Sequence, residues 1–444
     1  MLRKLKVSNF KTFKDISIDL NKFNLIIGSN ASGKSNFVSI FKFLNDISKF
    51  GLNEAISKQG GFKYLKNLKT NDNKPLKLEI EANGQFEFPV TETKDEKEEH
   101  FFIEISNIIY KLNLKSAKNI DKFNVMYECI ELKGIYDELN IKNKDENNRI
   151  NIKKCEKRKE KEITIRISNK FNESEKNNEF KVKIIPEENI GIKKENIFPR
   201  TLIDIIQKQN SENNGISLLE TLFSTIPIDW KMIFQNFRFY DIDPKKCKQL
   251  AKINDNKKLK ENGENLAVVI QNIIKNEDNK RKFLNLIRDL IPLVQDINTK
   301  KLIDNNSLIF TVKEEYLDDL DDLDDFLPGW IISDGTRNIL ALIITLYFTD
   351  SSLTLIEEPE RNLHPKILSR LVQMMEESSK GKQVIITTYN SEILKHVPME
   401  DILFISRDKN GFSNISKPVE IEDVKLFLEE EIGIEDLFIE DLLI

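Results

Sequence analysis

Apolar and polar positions alternate near the start of the chain, with Leu5 and Val7 set between Lys4, Lys6 and Ser8, and Ile16, Ile18 and Leu20 around Ser17 and Asp19. Both stretches predict half-buried strands. The run Phe23-Asn24-Leu25-Ile26-Ile27 predicts a more deeply buried strand, and the period then changes. Phe37, Ile40, Phe41, Leu44 and Ile47 share one helical face, and Gln59-Gly60-Gly61-Phe62 reads as a turn. From Leu76 to about Ile185 the pattern is again strand-like, in Leu76–Ile80, Phe101–Ile105, Tyr110–Leu114, Ile163–Ile167 and Phe180–Ile184. Polar stretches between them predict an antiparallel lobe of hairpins. Roughly Thr201 to Leu293 reads as helical: Leu202, Ile205 and Ile206 share a face, as do Phe283, Leu286, Ile287 and Leu290. Farther on, an apolar helical run from Ile339 to Tyr347 precedes the strand Leu353-Thr354-Leu355-Ile356. A helix with Ile367, Leu371 and Met374 on one face and a strand at Val384-Ile385-Ile386 follow. Strands alternating with helices at both ends of the chain predict an α/β class with a parallel sheet.

Composition narrows this picture only a little. A length of 444 residues suggests roughly three domain-sized units. The 39% hydrophobic and 32% charged content is that of an ordinary globular chain. A net charge of −5 argues against wholesale coating of nucleic acid, without excluding a local basic groove. Cys129, Cys155 and Cys247 form no C-x-x-C pair, so no zinc ribbon or disulfide framework is expected, and a reducing cytoplasmic location fits. The first residues lead into a strand rather than a signal core, and the longest greasy run, Ile339 to Phe348, is too short to cross a bilayer. No membrane partner is expected.

The first chemical signal is Gly28-Ser29-Asn30-Ala31-Ser32-Gly33-Lys34-Ser35, a complete G-x-x-x-x-G-K-[ST] phosphate loop between a strand and a helix. Its glycines let the backbone curl so that several N–H groups face one phosphate, and the helix adds its partial positive end. Lys34 would reach the β- and γ-phosphates, the Ser35 hydroxyl would coordinate Mg²⁺, and Asn36 lies in the same first turn. A nucleoside triphosphate with Mg²⁺ is the expected ligand.

The second signal is the strand that ends in Glu357 and Glu358. Adjacent carboxylates at the end of a buried strand are costly unless a cation or hydrogen bonds compensate them. Mg²⁺ shared with Ser35 would do so, with Glu357 on the magnesium side and Glu358 orienting or deprotonating the attacking water. Upstream, Ser333-Asp334-Gly335-Thr336 opens the apolar helix as a second anion-binding terminus, although Ser-Asp-Gly is also an ordinary turn and cap. Glu360-Arg361-Asn362-Leu363-His364-Pro365 reads as a loop, and His364 has no evident partners. Leu317 to Phe326 reads as a short helix with an acidic face, or else as a docking or metal-binding element. The cation-rich Lys153–Lys161 separator reads as a solvated connector or as a hairpin tip touching nucleic-acid phosphates.

Together these motifs resemble the ABC-type P-loop ATPase heads of the SMC and RecF group. The likeness is greatest to compact bacterial ATPases without coiled coils, related to those of OLD-, Septu- and PARIS-type phage-defence systems. The resemblance covers nearly the whole chain, with further landmarks at Leu259 to Ile270 and Asp296 to Lys313. It implies residues 1–75 as the first half of the head, 76–185 as an antiparallel β lobe, 186–315 as a mainly helical insertion and 316–444 as the second half. It also implies that 28–35 is the Walker A loop and 353–358 the Walker B strand, with Glu358 as catalytic acid. Ser333, Asp334 and Gly335 then stand as the ABC signature, and Glu360 to Pro365 as the D-loop at a dimer seam. Two heads would sandwich two ATP molecules, as a homodimer or a higher assembly, and pairing would control DNA binding or processing. The alternative it implies is a regulatory scaffold that holds or releases a partner nuclease or toxin. Two departures stand out: Glu357 replaces the commoner Walker B aspartate, and Tyr389 occupies the place of the switch histidine. An imidazole reorganises its protons near neutrality and a phenol does not, so slow turnover is expected. Gln59 is the one candidate for the Q-loop.

Overall fold

A computed structural model describes residues 1–70, 73–94, 97–117, 123–140, 156–157, 161–172, 177–185, 218, 234–253, 256–302, 306–315, 326–421 and 434–439. Two compact units are each assembled from separate stretches of chain. The first comprises Met1–Leu20, Ser39–Gln235 and Asp408–Asn414; the second comprises Asn21–Val38, Asn236–Arg407 and Ile415–Ile444.

In the first unit the long strands pair antiparallel. Leu2–Phe10 turns at Phe10↔Phe13 into Phe13–Asp19, and on its other side pairs with Leu76–Lys94. The ladder continues through Lys97–Ser116, Phe123–Asn140, Lys161–Asn172 and Asn177–Ile185. The expected hairpin lobe is therefore present, but its strands are longer than the alternation suggested. Phe101–Ile105 and Tyr110–Leu114 are not two strands; both lie in Lys97–Ser116. The register slips between Ile105 and Asn107, which moves the buried set from Phe101, Ile103 and Ile105 to Ile108, Tyr110 and Leu112. A bulge that inserts one residue exchanges the two faces, so one strand reads as two when its alternation changes phase.

The second unit is built on five parallel strands, in the order Phe237–Tyr240, Leu353–Glu357, Gln383–Thr388, Phe23–Ile27 and Ile402–Arg407. Phe23–Ile27 and Gln383–Thr388 are buried throughout, as strands covered on both faces must be. Leu353–Glu357 is buried up to Ile356 and opens only at Glu357. The helix Asp334–Tyr347 presents apolar side chains all round and is buried accordingly, while Leu368–Ser379 buries Leu368, Leu371, Val372, Met374 and Met375. Leu266–Ile274 adds Leu266, Val268 and Ile270 to the same core, and Glu277–Leu290 adds Phe283, Ile287 and Leu290. A small antiparallel sheet pairs Val294–Lys301 with Ser307–Glu314.

Within the span expected to be helical, Phe237–Tyr240 is instead a strand beside Leu353–Glu357. Four residues, Phe-Arg-Phe-Tyr, are too few to establish either period. Residues 236–315 share a unit with residues 28–35. Leu202, Ile205 and Ile206, most of Leu317–Phe326, and most of Lys153–Lys161 lie outside the described residues. Among the described residues, no helix is long and apolar enough to cross a membrane.

Candidate functional site

Every described residue of the two principal motifs falls in the second unit. The parallel register sets the carboxyl ends side by side: Thr388 pairs with Ile27, and Glu357 with Thr387. Open α/β sheets bind ligands at this edge because loops leaving adjacent strands diverge there.

Gly28 leaves Phe23–Ile27 against the neighbouring strand. A Cβ at Gly28 would lie 2.2 Å from the Ile405 carbonyl oxygen and 2.6 Å from Ile405 Cγ2, a clearance only glycine meets. The loop then bends through left-handed Ala31 (φ 62°) and Gly33 (φ 121°), and the helix Lys34–Phe50 begins. Ser29, Asn30, Ala31 and Ser35 are exposed, Ser32 is buried, and Asn36 is half-buried. Lys34 folds back over the loop, Nζ donating to the carbonyls of Gly28 at 2.7 Å and Ser29 at 2.9 Å. Burial lowers the Lys34 pKa, while the carboxylates of Glu358, Glu360 and Glu357 act in the opposite sense. The lysine and the three acids thus share one electrostatic neighbourhood, although they come from opposite ends of the chain.

At the end of the acid strand the backbone turns through Glu358 in the left-handed region (φ 47°), its N–H donating to Thr387 O at 2.8 Å. The Glu358 carboxylate accepts from Arg361, whose other nitrogen reaches Asp241. Glu360 is only 7% exposed. Its Oε1 accepts from the Thr388 hydroxyl, and its Oε2 is buried without a hydrogen-bond partner. Burial, helped by Glu358, pushes the Glu360 carboxyl above the usual carboxylate range. The Thr388 hydroxyl also accepts from Asn390 N at 2.9 Å, tying the loop after the acids to the turn that carries Tyr389. Tyr389 itself is 51% exposed at that strand end.

Ser333 caps the helix Asp334–Tyr347, its Oγ accepting from Thr336 N at 3.1 Å. The buried Arg337 guanidinium holds the preceding turn by donating to the carbonyls of Gly329 and Ile332 and by pairing with Asp334. Gly335 has a reason for being glycine within its own chain: a Cβ there would lie 2.7 Å from Asn362 O. Buried Asn338 donates to Pro359 O at 2.9 Å and Arg361 O at 2.8 Å, joining this helix to the loop after the acids.

A hard oxygen donor set suits Mg²⁺, which keeps few protein ligands and completes its shell with phosphate and water. The exposed Ser35 hydroxyl and the half-buried Glu357 carboxylate fit that description. Among the described residues no group of three or more His, Cys, Asp or Glu side chains is placed to hold a metal, so phosphate oxygens would have to share the task.

Thr388, Asn338 and the Arg361–Asp241 link were not singled out from the sequence, and Glu360 and Arg361 entered only as part of the implied D-loop at a dimer seam. Only Glu360 carried a signal, as a third acid close behind Glu357 and Glu358. Gln59 falls in the first unit, at the end of the helix Leu52–Lys58. His364 caps the short turn Pro365–Ile367 through Nδ1, a structural use.

Comparison with known proteins gives a family match over residues 1–394, described as an AAA ATPase domain. No curated protein matches the chain. Among solved structures, an Smc head bound to the C-winged helix domain of ScpA is 15% identical, with 94% of this chain and 96% of that one covered at a TM-score of 0.43. An Smc head with an extended coiled coil bound to the C-terminal domain of ScpA, from Pyrococcus furiosus, is 14% identical, with 97% and 99% covered at 0.43. The SMC head from Thermotoga maritima is 12% identical, with 94% and 98% covered at 0.36. At these values the likeness assigns no residue a role.

Proposed function

This chain belongs to the family of AAA ATPase domains, and from that premise we propose that it is a slow ATP hydrolase that works as a paired switch. One observation carries the reading: Lys34 and three carboxylates, Glu357, Glu358 and Glu360, meet at the carboxyl edge of a parallel sheet, next to an anion-binding loop and helix start. Lys34 exchanges its two loop carbonyls for β- and γ-phosphate oxygens. Ser35 and Glu357 would hold Mg²⁺, which would supply charge neutralisation to the triphosphate. Glu358 orients the attacking water and takes its proton as the new P–O bond forms and the bridging oxygen leaves with ADP.

The exposed cap at Ser333, with Asp334 and Gly335, suits contact with the triphosphate of a second copy. Trp330, 48% exposed, and Ile331, 61% exposed, would be covered in that pairing. Nucleotide held by both copies ties association to the γ-phosphate, so hydrolysis loosens the pair. Tyr389, at the strand end next to Thr388, is the residue that senses the γ-phosphate in place of a histidine. By the resemblance of the motifs, pairing in turn controls contact with DNA, which would show as salt-dependent DNA binding strengthened by ATP.

The direct test is nucleotide binding and steady-state turnover. Lys34→Ala is expected to lose ATP retention, and Glu358→Gln to retain ATP while losing turnover by about a hundredfold or more. Turnover at the wild-type level in Glu358→Gln would refute the assignment. Tyr389→Ala is expected to change hydrolysis or the lifetime of the ATP-bound pair, and no change in either would remove it from the mechanism.

A further inference from the structure

The Glu358 carboxylate is engaged by a neighbouring side chain. Arg361, three residues on, brings Nη2 to 3.0 Å and Nε to 3.3 Å of the same carboxylate oxygen, Oε2. The other arm of the guanidinium is anchored across the sheet edge: Nη1 lies 3.1 Å from Asp241 Oδ1 and donates to Ile242 O at 3.1 Å. Asp241 follows the strand Phe237–Tyr240, which runs beside the acid strand with Tyr240 level with Ile356. One planar group therefore spans two neighbouring strand ends and holds an acid at each.

A carboxylate held this way is badly placed to take a proton from water: one oxygen is occupied by two N–H donors, and the permanently protonated guanidinium cannot pass a proton onward. The Glu358 backbone offers little freedom, since its φ of 47° is fixed by the bond from its N–H to Thr387 O. What remains is rotation of the side chain, and Arg361 restrains it. The backbone of Arg361 in turn hangs from the signature helix, because Asn338 donates to Arg361 O at 2.8 Å.

We propose that Arg361 is a positioning residue that acts as an ionic latch: it holds Glu358 off the water until the signature helix shifts, and then passes to Asp241 alone. The inference rests on Glu358 being the group that activates water. Asp241 is the receiving side, so the two acids have opposite effects on the latch. Removing the guanidinium frees Glu358 outright. Removing the Asp241 charge leaves Glu358 as the one ion-pair partner of the guanidinium among the described residues and tightens its hold.

Turnover is measured on the full chain and on three variants, Arg361→Gln, Asp241→Asn and the two combined. Arg361→Gln is expected to raise kcat by about fivefold at an unchanged KM for ATP, the factor that about 1 kcal/mol of resting-state pairing represents. Asp241→Asn is expected to lower kcat, and that loss should vanish in the combined variant. Without nucleotide, unfolding of Arg361→Gln, Glu358→Gln and their combination should be non-additive, as for side chains in contact. A fall in kcat for Arg361→Gln would show that the guanidinium serves the reaction itself and overturns the latch, as would an unchanged kcat or additive unfolding. Loss of activity in Glu358→Gln alongside any of these results condemns the latch alone. Retained activity in Glu358→Gln condemns the role of the acid on which the latch depends.

Discussion

Individual residues at the site are held in conformations that the chain adopts reluctantly. Ala31, Glu358 and Asn362 have positive φ and lie in the phosphate loop or the loop after the acids. A non-glycine residue in that region costs about 1–2 kcal/mol and persists only where the surroundings over-determine it. For Glu358 the Thr387 carbonyl supplies the constraint. A different residue, Lys382, shows how burial reshapes a charge away from the site. Its Nζ donates to Thr345 O at 2.8 Å and Thr349 O at 3.2 Å, and burial lowers its pKa from 10.5 to about 8. Folding therefore disfavours the charged form, with a difference on the order of 3 kcal/mol. The sign follows directly. Below pH 8 both states carry the proton and the full penalty applies; between pH 8 and 10.5 the folded state sheds it first, so stability rises with pH. Denaturant midpoints of wild type and Lys382→Met at pH 7 and pH 9.5 should show wild type gaining on the variant as pH rises. Nothing in the sequence around Lys382 marks it as different from the chain's other lysines, because its environment is built by carbonyls from another segment.

At the scale of elements, the helix Asp334–Tyr347 has two functions in one stretch. Its first turn exposes the cap at Ser333, while its second holds the loop after the acids through Asn338. Gly335 packs so closely on Asn362 that a Cβ there would lie 2.7 Å from Asn362 O. Replacing Asn338 with Leu would strand two carbonyls, those of Pro359 and Arg361, at a cost of about 2–4 kcal/mol. A lowered unfolding midpoint and faster hydrogen exchange across residues 358–363 are the expected signs, and wild-type exchange in that loop would show that Asn338 does not hold it. The helix was legible from its apolar run and its cap, because both signals are local. Its grip on the loop was not, since Asn338 reads as one more polar position until the fold supplies its partners. The strand Lys97–Ser116 makes the same point, because a one-residue slip disguised its continuity.

For the whole molecule, the proposed site draws on chain segments 21–38 and 236–407, which close into one unit. If nucleotide shared between copies is the switch, Glu358→Gln with ATP and Mg²⁺ should accumulate a species of twice the chain mass in light scattering. Lys34→Ala should remain single under the same conditions. A Glu358→Gln protein that stays single at working concentration with ATP bound would exclude pairing as the readout.

The sequence alone determined the glycine-rich loop between strand and helix, the acid-ended strand, the capped apolar helix and the alternation of the antiparallel lobe. Each of these depends on backbone geometry and side-chain period within about ten residues, where the chain carries its own instructions. Only the tertiary structure decided which strand ends stand next to one another. That order brings Asp241 to Arg361, Thr388 to Glu360 and three acids to Lys34. Strand order in a parallel sheet is a non-local outcome, set by how buried faces pack after long crossovers, and no short stretch of residues encodes it.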